Sequence, residues 1–287
     1  MDVAVRRAVS WFLESDEHRR YHRLVHRELR FYDTEAKPVV SQRHDVRRCW
    51  VGAAEKAALV RDGPCVLVDS LPDLTGQAVL DFMTRLMDQA GEEQVTCELQ
   101  KNEEVESQRW PLRHLAGQLL PESEHRAAYW CEDSRVLALT DLAPQMHSPL
   151  EDLREGACTR TLLLGGVGAR TRLRRCGPSG FWDCALLGRR RWRLLPGDEM
   201  GVDGDTSDID TFCCGPDVCV VQGDHDQFAP ACYFECEQTM GEAVIVPSGW
   251  WFQTYDDDRT LSIRATYGEA LSEKPPPSAV DAFEIVD

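Results

Sequence analysis

Residues 181–196 carry the pattern that most constrains what this chain can fold into. They form two runs rich in large apolar side chains, with Gly188 between the runs and Pro196 at the end. Apolar runs of this length, bounded by glycine and proline, are typical of buried β-strands. We therefore predict two barrel strands joined by a hairpin at Gly188, with Trp192 directed into the core.

Length and charge limit the class of protein. The chain has 287 residues, of which 43% are hydrophobic, so it can bury a sizeable core, and β-barrels of this size commonly form one domain. Its 49 acidic residues exceed its 32 Lys and Arg residues and give a formal charge of -17. Such a charge repels a phosphate backbone, which argues against nucleic acid as a general partner.

The cysteines and the hydropathy pattern indicate a compartment. The twelve cysteines are scattered along a long chain without a signal-peptide pattern, so we expect reduced thiols rather than a disulfide framework. An apolar run long enough to cross a membrane is absent from the sequence. We expect an intracellular, reducing location, in the cytoplasm or nucleus rather than an organelle, with no secretion and no membrane partner.

The first part of the chain shows helical spacing. Apolar residues recur at helical intervals between residues 3 and 31, and residues 63–72 are typical of a short buried strand. A second helix is predicted to begin after Thr75 as its N-cap and to stop at Gly91. Its predicted inward-facing residues are Val79, Leu80, Phe82, Met83, Leu86 and Met87.

Three segments together resemble a known family. Residues 171–176 read Thr-Arg-Leu-Arg-Arg-Cys, residues 181–196 contain Trp-Asp, Gly, Trp and Pro at fixed spacing, and residues 241–252 read Gly-Glu-Ala-Val-Ile-Val-Pro-Ser-Gly-Trp-Trp-Phe. These segments resemble the Jumonji-C (JmjC) family of cupin-type iron and 2-oxoglutarate oxygenases. The family pattern is Thr-x-x-His-x-Asp, then Trp-Asn-x-x-x-x-Gly-x-Lys-x-Trp-x-x-x-Pro, then Val-Pro-Ser-Gly-Trp-Trp followed by an iron-binding histidine.

The resemblance implies a fold and a division into domains. The expected fold class is mainly β, a double-stranded β-helix of the cupin or jelly-roll type with N-terminal helices. The expected domains are an N-terminal helical extension over residues 1–60, a JmjC-like cupin domain over residues 61–270, and a proline-rich acidic tail over residues 271–287.

At the three positions where the family places its iron ligands, this chain carries Arg174, Cys176 and Phe252. A guanidinium group and a phenyl ring offer a metal no lone pair, and one thiolate cannot rebuild a site of two histidines and a carboxylate. A shift of the alignment by one residue puts Leu173 or Arg175 in the first place, and neither binds iron. The resemblance therefore implies degenerate ligand positions, with no catalytic residue, metal or cofactor.

The family's 2-oxoglutarate pocket also maps onto named positions. Arg190 stands where many relatives have a lysine that binds the cosubstrate carboxylate, a change that keeps the charge but alters the reach. We expect no cosubstrate binding there. The former pocket positions are Thr171, Asp183, Arg190, Arg264 and Thr266.

These observations favour a catalytically inactive JmjC-like protein, a pseudoenzyme that acts as a structural or protein-interaction subunit of a larger assembly. Two alternatives remain open. The first is an Fe(II)/2-oxoglutarate-dependent protein hydroxylase or demethylase with an unorthodox metal site. The second is a peptide or small-anion binding module that uses Arg174, Arg190 and Arg264 in the former cosubstrate pocket.

Overall fold

The computed structural model describes a protein whose regular structure is mainly β. Both the predicted helices between residues 3 and 31 and the tail over residues 271–287 lie outside the described residues. The described residues are 42–50, 63–71, 73–101, 104–118, 128–142, 160–197, 221–222, 227–228 and 232–267.

Sixteen strands and three helices form within these residues. The strands are β1 (Gln42–Asp45), β2 (Arg47–Cys49), β3 (Cys65–Leu67), β4 (Gln94–Lys101), β5 (Glu104–Pro111), β6 (Ala128–Asp133), β7 (Arg160–Gly165), β8 (Arg174–Arg175), β9 (Phe181–Leu187), β10 (Arg190–Leu195), β11 (Val221–Gln222), β12 (Gln227–Phe228), β13 (Cys232–Gln238), β14 (Ala243–Val246), β15 (Trp251–Asp256) and β16 (Thr260–Thr266). The helices are α1 (Gly76–Ala90), α2 (Leu112–Gln118) and α3 (Arg135–Ala138).

Most strands belong to two sheets that pack face to face. The nine-stranded sheet has the order β2-β3-β14-β9-β16-β7-β6-β4-β5, and the five-stranded sheet has the order β1-β13-β10-β15-β8. From β7 to β10 and again from β13 to β16, each strand lies in the opposite sheet from the strand before it. This alternation is the winding of a double-stranded β-helix, so the predicted fold class is confirmed.

The turn at Gly188 differs from the prediction. β9 belongs to the nine-stranded sheet and β10 to the five-stranded sheet, so the predicted hairpin is wrong and the turn is a corner between the sheets. Gly188 has a φ of 83°, and a Cβ atom there would collide with the backbone carbonyl of Arg259. Local sequence indicates two strands and a turn, but it does not indicate which strands pair. Trp192 is fully buried, as predicted.

Two hydrophobic clusters lie on opposite faces of the nine-stranded sheet. Because successive side chains in a strand point to opposite faces, β14 contributes Ala243 and Ile245 to the first cluster and Val244 and Val246 to the second. The first cluster also contains residues of all three helices. The second cluster contains side chains of both sheets, including Trp192 of β10, and therefore fills the space between them.

The helix α1 begins and ends where the sequence predicts. The Thr75 hydroxyl accepts a hydrogen bond of 3.1 Å from the Ala78 amide, and the Gly91 amide donates to the carbonyl of Met87. One predicted inward-facing residue is wrong, since Leu80 is 58% exposed. No helix among the described residues has the length and apolar character needed to cross a membrane.

Residues 42–49 join the barrel. β1 pairs in parallel with β13, and β2 pairs in parallel with β3, so this short stretch extends both sheets. The division into domains places these residues in the N-terminal extension, and its boundaries remain predictions. All eight cysteines in the described part of the chain are free thiols, as expected, and seven of them are buried.

Candidate functional site

The three positions that the sequence analysis singled out as degenerate iron ligands lie together. β8 and β15 pair antiparallel with Arg174 opposite Phe252, and the amide of Cys176 donates to the carbonyl of Trp250 at 2.7 Å. The side chains of Arg174, Cys176 and Phe252 line one open cleft with a volume of about 320 Å³. Arg264 lines the same cleft.

The thiol of Cys176 lies at the edge of this cleft. It contacts the carbonyl of Ser179 at 3.2 Å as a hydrogen-bond donor. Burial raises the pKa of the Cys176 thiol to about 12, and the nearby charge of Arg264 offsets this only in part. Cys176 is therefore a protonated thiol at neutral pH, which makes it a weak metal ligand and a weak nucleophile.

The guanidinium group of Arg264 is enclosed by aromatic rings. Its central carbon lies 4.5 Å from the ring centre of Phe181, 5.2 Å from that of Phe252 and 5.8 Å from that of Trp192. Its Nε and Nη2 atoms donate to Oδ2 of Asp183 at 3.2 and 3.1 Å. Cation–π contacts and a charge-assisted pair thus hold a permanent cation in the inner part of the cleft.

Glu132 of β6 connects two of the arginines. Its carboxylate accepts from Nη1 of Arg174 at 2.6 Å and from Nη1 of Arg264 at 3.5 Å. Burial by itself would raise the pKa of Glu132, but the charges of Arg264 and Arg174 outweigh burial and lower the pKa below its ordinary value. Glu132 is therefore ionised at neutral pH.

Arg190 is fully buried in the barrel interior and does not line the cleft. Its Nε donates to Oδ1 of Asp256 at 2.6 Å, its Nη1 to the hydroxyl of Ser262 and its Nη2 to the hydroxyl of Thr260. Oδ1 of Asp183 lies 3.6 Å from Nη1 of Arg190. Burial disfavours the charged form of Arg190, but Asp256 and Asp183 outweigh it and raise its pKa.

The former cosubstrate positions are thus divided between two environments. Thr171 is buried away from the cleft, where its hydroxyl accepts from the amide of Thr254 at 2.9 Å. Asp183 is fully buried between Arg190 and Arg264. Thr266 lines the cleft together with Arg264. The structure therefore brings Arg174 and Arg264 together in the cleft, whereas Arg190 lies outside the cleft and is linked to Arg264 through their shared partner Asp183.

Three residues of this site were not predicted from the sequence. Glu132 ends an apolar run, and an ionisable residue at the end of a buried strand is the signal that could have found it. Asp256 begins a run of three aspartates, which as sequence is typical of a solvated turn. Arg175 lies at the mouth of the cleft because β8 ends there, which the sequence does not reveal.

The charges of this network balance. Three guanidinium groups, of Arg174, Arg190 and Arg264, are paired with three carboxylates. The carboxylates belong to Glu132, Asp183 and Asp256. Asp183, Arg190, Asp256 and Arg264 are buried, whereas Glu132 and Arg174 are partly exposed at the cleft. Buried charges are tolerated when they are paired, although burial outweighs the charge of Arg190 at Asp256 and raises the pKa of that carboxyl above its ordinary value.

The residues of the cleft do not fit an Fe(II) centre. Iron of the 2-oxoglutarate oxygenase kind requires two imidazoles and a carboxylate around open coordination positions. Within the residues that the structure describes, no group of three or more His, Cys, Asp and Glu side chains could hold a metal ion. The cation of Arg264, beside Arg174, also opposes a divalent cation by charge repulsion.

Comparison with known proteins supports a distant relationship to these oxygenases. No family model matches the chain. It is 31% identical over 83 residues to the 2-oxoglutarate and iron-dependent oxygenase JMJD4 of Danio rerio. This match covers 29% of this chain and 20% of that protein. It is also 31% identical over 116 residues to the arginine-specific demethylase JMJ20 of Arabidopsis thaliana. This match covers 39% of this chain and 24% of that protein.

The matched region therefore spans a quarter or less of the length of these curated relatives. Together with the double-stranded β-helix, the matches show that the chain is distantly related to the JmjC-type iron and 2-oxoglutarate oxygenases.

Replacing the buried Arg190 by an uncharged residue tests how much the network of paired charges contributes to stability. Arg190→Met is expected to lower the free energy of unfolding by about 3–5 kcal/mol, because Asp256 loses its partner and Asp183 keeps only Arg264. Urea unfolding followed by tryptophan fluorescence measures the loss. Adding Asp256→Leu should recover about 1 kcal/mol or more of it, since one uncompensated charge is removed. The exposed control Arg172→Met should change stability by no more than about 0.5 kcal/mol.

The lowered pKa of Glu132 gives a dependence of stability on pH. Its stabilising effect is complete above the ordinary glutamate pKa of about 4.3 and is lost as the pH falls through the lower folded-state pKa. Glu132→Gln should therefore be less stable than the natural chain near neutral pH, and this difference should shrink steadily below about pH 4. Denaturant unfolding at a series of pH values measures it. Glu106→Gln, at an exposed position, is the matched control variant. A difference for Glu132→Gln that stays constant with pH would show that its carboxylate is not stabilised by its arginines.

Proposed function

We propose that this protein is a non-catalytic relative of the JmjC-type oxygenases that works as a structural or protein-interaction subunit of a larger intracellular assembly. Its partners are other proteins, and its barrel uses neither iron nor 2-oxoglutarate. The distant relationship to the JmjC-type oxygenases supports the fold. The side chains that line the cleft support the absence of iron chemistry.

The position of Arg264 is the observation that carries this proposal. Its guanidinium group lies among Phe181, Phe252 and Trp192 and is held by Asp183. An Fe(II) oxygenase needs lone-pair donors and open coordination positions at the mouth of its barrel. Here a permanent cation lies there instead, and the nearest sulfur is a protonated thiol.

The buried charges support a role that depends on shape. The pair of Arg190 with Asp256 connects β10 and β15 within the five-stranded sheet, and the pair of Arg264 with Asp183 connects β9 and β16 within the nine-stranded sheet. Arg190 also reaches across to the nine-stranded sheet, where it contacts Asp183 and donates to the hydroxyl of Ser262. Contacts of this kind fix the geometry of a barrel without a metal. A barrel held in one shape by its own side chains suits a scaffold that presents surfaces to other proteins.

The alternative is an oxygenase with an unorthodox metal site. It is favoured by the two relatives, which are named as an iron-dependent oxygenase and a demethylase. Metal analysis separates this alternative from the leading proposal.

The natural chain, reconstituted without oxygen with Fe(II) and 2-oxoglutarate, is expected to hold far less than one iron per chain and to produce no succinate above background. Elemental analysis and succinate detection measure both quantities. The triple variant Arg174→His, Cys176→Asp, Phe252→His is the matched control, because it places the family's ligand types at the same positions and should gain metal affinity. Stoichiometric iron with 2-oxoglutarate turnover in the natural chain would establish the oxygenase alternative.

If the protein is a subunit of a larger assembly, it should be isolated from cells in a complex with a partner protein. Isolated from its source cells in mild salt, the protein should elute as a particle clearly larger than its own 32.5 kDa, with a partner protein in fixed stoichiometry. Size-exclusion chromatography with light scattering measures the mass. The recombinant chain alone is the reference for the free state. Recovery from cells as a single chain with the recombinant mass would contradict this part of the proposal.

A further inference from the structure

The cleft beside Arg174 still offers hydrogen-bond donors to a ligand. We propose that it binds a peptide segment through a carboxylate side chain flanked by an apolar side chain. This inference rests on the proposed function, since it names the chemistry by which the non-catalytic barrel would recognise a partner protein. The arginines concerned are Arg174 and Arg175, and Arg190 has no part in it.

The donors of Arg174 and Arg175 are incompletely used. Arg174 has a side chain that is 37% exposed and donates from Nη1 to Glu132, while its Nε and Nη2 make no hydrogen bond to a described residue. Exposed Arg175 donates from Nε to the carbonyl of Gly249 at 3.3 Å, and its central carbon lies 5.9 Å from the ring of Trp251. Its terminal nitrogens likewise make no hydrogen bond to a described residue. Arginine forks of this kind match the geometry of a carboxylate.

The arginines of the cleft already bind one carboxylate, that of Glu132. Glu132 accepts hydrogen bonds from Arg174 and Arg264 at the inner wall of the cleft. Since Asp183 balances Arg264 from behind, Arg174 and Arg175 together face the single charge of Glu132. Among the described residues, one positive charge therefore remains in excess at the mouth of the cleft, although the whole chain carries a formal charge of -17. A monoanion such as a carboxylate fits this excess better than a doubly charged phosphate.

Apolar side chains form the other walls. The rings of Phe181 and Phe252 meet edge to face with their centres 4.8 Å apart, and Pro178 also lines the cleft. These surfaces suit an apolar side chain next to the bound carboxylate. A volume of about 320 Å³ is at the low end of the range for small-ligand sites, so the cleft takes one or two side chains of an extended peptide rather than a folded element.

The probe is an N-acetylated, C-amidated tripeptide of phenylalanine, glutamate and phenylalanine, titrated into the full chain and followed by NMR. The matched probe has glutamine in place of glutamate and should bind at least about tenfold more weakly, because it loses one charge-assisted pair. Arg174→Gln and Arg175→Gln should each weaken binding of the glutamate probe about fivefold or more. The control Arg172→Gln removes an exposed charge outside the cleft and should leave the affinity unchanged.

Two results would overturn the inference. The first is equal binding of the glutamate and glutamine probes, and the second is full retention of affinity in both Arg174→Gln and Arg175→Gln. Tighter binding of a phosphoserine version of the probe would also overturn it in favour of phosphopeptide recognition. Each variant is first checked for an unchanged melting temperature, and Arg175→Gln remains informative if Arg174→Gln fails to fold. All these outcomes are independent of iron content and 2-oxoglutarate turnover, which test the proposed function itself.

Discussion

The buried carboxylate of Asp183 is the charge on which the interior of this barrel depends. Asp183 is inaccessible to water and lies between the guanidinium groups of Arg264 and Arg190. A carboxylate buried in this way is stable only when it is paired, and each arginine that pairs with it brings a further charge. The further carboxylates are Asp256 beside Arg190 and Glu132 beside Arg264, and Arg174 pairs with Glu132 in turn. Three arginines and three carboxylates thus form one network that extends from the barrel interior to the cleft.

This network determines which charged groups surround the cleft. Arg264 extends from the last strand into the cleft, where Phe181 and Phe252 pack on its guanidinium group. A fixed cation at this place disfavours a second cation, while the same arrangement stabilises carboxylates such as Glu132. In a distant relative of the iron and 2-oxoglutarate oxygenases, a double-stranded β-helix thus carries Arg174 and Arg264 at its cleft, and the proposal of a non-catalytic role rests on these two residues.

The arginines of the site divide according to how completely their donors are used. Arg190 and Arg264 are buried; the hydrogen bonds of Arg190 connect the two sheets, and those of Arg264 connect strands within the nine-stranded sheet, so their contribution is to the stability and shape of the barrel. Arg174 and Arg175 lie at the surface of the cleft with donors that no described residue uses, and the proposed recognition of a carboxylate rests on these donors. The same residue type serves both purposes because a guanidinium group can pair with several acceptors at once.

The sequence by itself determined the local elements: the strands on either side of Gly188, the capped start of α1 at Thr75, and the alignment that singled out Arg174 and Phe252. The strands and the start of the helix follow from period and capping, which depend on neighbours along the chain, whereas Arg174 and Phe252 were singled out by the resemblance to the JmjC family. Only the tertiary structure decided that the turn at Gly188 is a corner between sheets, that Glu132 joins the site, and that Arg190 is separated from the cleft. Those features depend on pairing between strands far apart in sequence, and local pattern carries no information about which strand becomes the neighbour.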